Sequence, residues 1–100
     1  MRPEALDAIA LGRMPAEPDA TDAELRRWQD TIQRIPEPVS LQEARALSAS
    51  FGPDDCFGLA WALLHKIETC GMQVVVDEPE PSDEWRHRLW RRWQNQLGIP

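Results

Sequence analysis

The residues of this chain whose types and spacing could do chemistry lie in one run, Pro53 to Thr69, which reads PDDCFGLAWALLHKIET. Taken as a helix, the run sets Trp61, His65 and Glu68 near one another, because positions three and four apart are neighbours on a helix surface. A hydrogen-bonded His65 and Glu68 would favour the charged forms of both, and Trp61 beside them could line a small-molecule or enzymatic site. Other chemistry is poorly served. Cys56 and His65 fall nearly opposite each other on that helix, which excludes a nucleophile and base pair. Glu84 and His87 give a single Glu-x-x-His, whereas a di-iron bundle requires that motif twice with carboxylates from two more helices, and His65 to Glu68 runs in the reverse order. There is no glycine-rich phosphate loop, no Cys-x-x-Cys and no Gly-x-Ser-x-Gly. The expectation is a protein without cofactor, metal or catalytic set.

The same run must be placed by its surroundings. At about 100° per residue, its apolar positions from Cys56 and Phe57 to Leu64 and Ile67, Trp61 included, cover an arc of about 200°. A helix with so wide an apolar face has to be enclosed by other elements. Gly58 and Ala62 leave a smooth strip on its other side, where a neighbouring helix is the expected occupant and a ligand the alternative. Glu68 falls inside the apolar arc, so its carboxylate either passes the helix end into water or is held by a partner, with His65 the nearest candidate.

Helix signals recur along the rest of the chain. Pro3 opens a short helix that Gly12 can end, and Arg13 to Ala20, with two prolines, reads as a linker. Thr21 with Glu24, and Ser40 with Glu43, each form a capping box before an apolar stripe: Leu25, Trp28, Ile32 and Ile35 in the first case, Leu41, Ala44, Leu47 and Phe51 in the second. Pro53 suits the first position of the central helix, with Asp54 and Asp55 in its first turn. Met72 to Val76 is the one β-like run, and without a second run to pair with it is expected to be an extended connector. Asp77 to Glu84, acidic and proline-containing, reads as a solvated loop before a last helix that Ser82 caps and Leu97 ends. The fold class is all-α: a small bundle of four or five helices with proline-marked loops, in one domain over residues 1–100.

The last helix segregates its residues, with Trp85, Leu89, Trp90, Trp93 and Leu97 on one side and His87, Arg88, Arg91 and Arg92 on the other. The expected use is completion of the core, with Glu84 pairing Arg88 at the favourable spacing. Any tryptophan the core leaves free is a candidate interface anchor.

Seventeen acidic against eleven basic residues give a net charge of −6, which opposes attraction to nucleic acid and to anionic membranes and favours a basic protein partner. Each half of the chain carries −3, nine acidic against six basic and then eight against five, so no acidic tail accounts for the imbalance. No apolar run is long enough to span a bilayer, and Glu4 and Asp7 stand where a signal peptide would be basic and apolar, so the expected location is the cytoplasm. Cys56 and Cys70, on one helix, would be about 21 Å apart, well beyond the roughly 7 Å a disulfide allows, and are expected as reduced thiols.

The string from Asp55 to Thr69 resembles a D-C-[FY]-G-[LV]-A-W-x-L-[LV]-H-x-I-E-T segment of short bacterial helical proteins, in which a proline-containing loop and a charged C-terminal helix follow. Cys70 and Gly71 stand here where that pattern has Ala-Pro. Proteins of this type are often immunity partners of bacterial toxins. The resemblance thus implies a non-enzymatic protein-binding module that neutralises a toxin, the string serving the fold and the toxin-facing residues lying on more exposed surface. The expected contact surface is the acidic loop, through Asp77, Glu78 and Glu80, where steering could draw in a basic toxin domain. Trp61, His65 and Glu68 form the alternative binding set.

Overall fold

Two reciprocal capping boxes set the register of the chain. In a computed structural model that describes residues 1–98, Thr21 Oγ1 accepts from Glu24 N and the Glu24 carboxylate accepts in turn from Thr21 N, opening α2 (Asp22–Arg34). Ser40 and Glu43 do the same for α3 (Leu41–Leu47). Upstream, α1 (Pro3–Ala10) begins on its proline and ends at Gly12, whose φ of 78° lets the chain leave in a left-handed turn. Downstream lie α4 (Leu59–Glu68) and α5 (Glu84–Gln96). Short 3-10 turns occupy Glu17–Asp19 and Ser48–Ser50, and no strand occurs among the described residues. The fold is a small all-α bundle of five helices.

α4 is central, packed against α2, α3 and α5, while α1 closes over α2 and α3. Leu63, Leu64 and Ile67 of α4 are fully buried beside Leu47 and Ile35. The expected linker is docked on this core. Met14 is buried, its N–H donates to Ser50 O at 2.9 Å, and its carbonyl fills the place a Cβ would take at Gly52. Met72 to Val76 is a connector outside any helix, bent at Met72 and Val74, with Val75 buried and Val76 exposed.

Two helix starts differ from the sequence reading. α4 begins at Leu59 rather than near Pro53, because the Asp54 and Asp55 carboxylates accept from Cys56 N and Gly58 N and hold a turn in place of a first helical turn. At α5 the cap position falls to Asp83 rather than Ser82. The Asp83 carboxylate pairs with Arg86 Nη1 at 3.3 Å and leaves the helix N-terminus without a side-chain cap.

Glu43 has a second role besides its capping box. It is 1% exposed, yet its carboxylate accepts from four donors: Ser40 N, Arg2 N, Arg2 Nε and Arg2 Nη2, at 2.8 to 3.2 Å. Arg2 Nη2 also donates to the carbonyls of Pro36 and Pro38, so one guanidinium joins the N-terminus, the α2–α3 connection and the start of α3. The hydrogen bonds from Arg2 outweigh the cost of burial and hold the Glu43 carboxyl at about 2, below its ordinary 4.5. Because the folded value is the depressed one, this contribution is complete above about pH 4.5 and is lost as pH falls from there towards 2. Its size is of the order of 2 kcal/mol, since part of Arg2 faces water. Urea unfolding at pH 7, 4 and 3 should show stability falling along this limb. Glu43→Gln should cost about 2 to 3 kcal/mol at pH 7 and flatten the limb, and an unchanged pH profile in that variant would remove Glu43 as its source.

Candidate functional site

Cys56, Phe57 and Gly58 take φ values of 49°, 55° and 88°, three consecutive left-handed residues of which two carry side chains. Each of those two costs about 1–2 kcal/mol, so the surroundings must impose the turn. Three carboxylates do so. Asp54 accepts from Cys56 N at 3.0 Å and, across the structure, from Glu17 N at 2.9 Å; Glu17 accepts from Phe57 N at 3.1 Å; Asp55 accepts from Gly58 N at 3.1 Å. Every N–H of the strained turn is thereby matched to an acid. The Asp55 Oδ1 atom is shielded and has no partner.

The turn does the opposite of what a helix would do with the same residues. Cys56 is enclosed, and Phe57, expected within the apolar arc, is turned out and 64% exposed. Beside it an open groove of about 420 Å³ runs along the α2–α4 seam, with Leu25, Ile32, Leu59, Gly58 and Ala62 on its walls and Gln29 and Gln33 at its edge. The Gly58 and Ala62 strip therefore both meets α2 and leaves space beside it.

The two segments that meet at this turn are acidic. Residues 14–25 contain Glu17, Asp19, Asp22 and Glu24 and no Lys or Arg; residues 46–65 contain Asp54 and Asp55 and again no Lys or Arg. Among the described residues none of these six forms an ion pair. Removing them leaves eleven acidic against eleven basic residues, so these two segments carry an excess equal to the whole net charge of −6. Burial first, and then Asp54, Glu17, Asp55 and Glu24, push the Cys56 thiol above its ordinary value. That environment is opposed to a reactive thiolate.

The residues singled out from sequence are placed as follows. Asp77, Glu78 and Glu80 are exposed, but the acidic loop faces the arginines of α5: Glu78 lies 3.0 Å from His87, Asp83 pairs with Arg86, and Glu84 with Arg88 at 3.1 Å. Trp61 and His65 do meet, at 5.9 Å between ring centroids. Glu68 does not join them. Of the two outcomes its position allowed, water past the helix end or a partner such as His65, the carboxylate takes a partner, but it is Arg92, in a bidentate pair at 2.7 and 3.0 Å, because α5 packs along α4 and delivers a guanidinium there. Trp61, 36% exposed, meets Trp85 edge-on at 5.2 Å, and the Arg88 guanidinium lies over both rings at 4.9 and 4.3 Å. These contacts fill the α4–α5 seam at Trp61, while Glu68 lines a separate cleft with Leu89, Arg92 and Trp93.

The acidic turn escaped the sequence reading because its carboxylates come from both halves of the chain. The signal was the absence of any basic residue from 14–25 and from 46–65. Both cysteines are free thiols, Cys56 buried and Cys70 half-buried. No described helix is long and apolar enough to cross a membrane. Comparison with family models, with curated proteins and with solved structures gives no match to this chain.

Alkylation by iodoacetamide at pH 8 should modify Cys70 first and Cys56 on the order of 100-fold more slowly, through opening of the turn. Equal rates, read by mass spectrometry of the peptides, would show that the left-handed turn is not held closed.

Proposed function

We propose that this chain is a non-enzymatic protein-binding module that engages a basic partner through the Phe57 turn, of the kind that immunity and inhibitor proteins use to neutralise a bacterial toxin. The observation that carries this reading is an exposed aromatic held in a costly backbone conformation, next to an apolar groove, where two segments meet whose six carboxylates form no ion pair among the described residues. Backbone strain at an exposed bulky residue implies selection for display. Phe57 supplies an anchor, the groove receives an apolar side chain from the partner, and the surrounding acids attract lysine and arginine on its surface. Glu43 and Glu68 are committed to pairs within the fold, with Arg2 and Arg92, and neither carboxylate is left for acid–base work. Resemblance of the Asp55 to Thr69 string to short bacterial proteins supports the toxin-immunity class.

The test uses the immobilised full chain against lysate of its source cells, followed by kinetics with the purified captured protein. Asp19 and Asp22 are exposed and take no part in holding the turn, so Asp19→Lys with Asp22→Lys should slow association at low salt by about tenfold. Phe57→Ala should raise the dissociation rate by about tenfold or more. Asp77→Lys with Glu80→Lys is the comparison and should change either rate by less than about twofold. If the loop variant alone slows association, the interface is the Asp77 to Glu80 loop. A captured protein that is toxic when expressed alone and harmless beside this chain would establish the immunity class; one harmless in both conditions would exclude it.

A further inference from the structure

On another part of the molecule, a polar cleft of about 370 Å³ lies between the docked segment after α1, the Ser48–Ser50 turn and the start of α5. Its chemistry comes from Arg13, Arg86, Ser48, Ser82 and Asp83. Two guanidiniums against one carboxylate make it locally positive in a chain of net charge −6. Neither arginine is used up. Arg13 spends Nε on the Phe51 carbonyl at 3.0 Å, and its two Nη groups have no acceptor among the described residues. Arg86 spends Nη1 on Asp83, which leaves its Nε and Nη2 edge without an acceptor; Nε is shielded from water and orphaned. An unmatched buried donor is costly, and this edge is the fork that fits two oxygens of one anion. The Arg86 side chain as a whole is 43% exposed and lines the cleft.

The start of α5 adds to this. With Asp83 drawn to Arg86, no side chain caps the helix, and the first amide to find an acceptor is His87 N, on Asp83 O at 2.9 Å. The amides of Glu84, Trp85 and Arg86 have no acceptor among the described residues, and of these three residues Arg86 lines the cleft, with Arg13 and Ser82. We infer that this cleft, next to the uncapped start of α5, binds a phosphate-class oxyanion, held by the Arg86 fork and the Nη groups of Arg13. A phosphate-class anion offers more oxygens and more charge than a carboxylate to two guanidiniums brought from separate parts of the chain.

The experiment is a titration of the full chain, labelled with nitrogen-15, with inorganic phosphate and separately with acetate at constant ionic strength. Phosphate should shift the amides of Glu84, Trp85 and Arg86 in a saturable manner, at least about tenfold more tightly than acetate. Arg86→Lys keeps the charge and loses the fork, and should weaken phosphate about tenfold; Arg13→Gln should do the same. Arg26→Gln, an exposed arginine of α2, removes equal charge elsewhere and should change nothing. Unsaturable shifts, acetate binding as tightly as phosphate, or undiminished binding to folded Arg86→Lys would each overturn the assignment.

Discussion

The bundle depends on a carboxylate that remains ionised although it is sealed from water. Glu43 can do so because four donors converge on it, and three of them belong to Arg2. A buried ion pair is a demanding arrangement, since desolvation of the charges is repaid only when the remaining hydrogen-bonding positions are filled. Filling them here requires α1, the Pro36 to Pro38 connection and the first turn of α3 to be in place together. The pair thus specifies one arrangement of these three elements. Once α1 is fixed, the chain after Gly12 has little choice but to run past Ser50 and Gly52, where Met14 docks and carries Glu17 to Asp54.

That path explains why the acidic turn exists at all. The backbone from Cys56 to Gly58 is unfavourable on its own, and three carboxylates hold it by taking its amides. One of the three, Glu17, arrives from 40 positions earlier in the sequence. Gathering these acids also gathers their charge, and mutual repulsion opposes the arrangement. Stability alone would favour a helix from Pro53 onward, with Asp54 and Asp55 complementing its dipole. The chain instead spends stability to turn Phe57 outward, next to a groove that α2 and α4 leave open.

Much of the fold was legible because its signals are local. A capping box involves residues three apart, Pro3 and Gly12 act on their own backbone, and the pairing of Glu84 with Arg88 is a property of helical spacing. Where the reading failed, local and distant demands competed. Asp54 and Asp55 look alike as helix-starting acids or as acceptors for a turn, and only the approach of Glu17 decides between them. Glu68 has a histidine three positions away and an arginine 24 positions away, and the arginine binds it because α5 packs against α4. The candidate surface was hidden for a related reason. A charge of −3 in each half looks like dispersion, whereas folding sets Glu17 and Glu24 of the first half against Asp54 and Asp55 of the second.

Charge and apolar surface have separable tasks at that turn. Six exposed or half-exposed acids raise the rate at which a cationic surface arrives, an effect that acts over roughly a Debye length of 8 to 10 Å and fades with salt. They add little to the lifetime of a complex, because charges at a rim stay hydrated. Lifetime has to come from surface that loses its water on contact. Phe57 and the groove walls of Leu25, Leu59 and Ala62 are the apolar surface beside the acids. On the proposed reading the strained turn is therefore the element that makes the acidic patch useful: without it Phe57 would return to the apolar arc of a longer helix, and the same carboxylates would attract a partner that nothing retained.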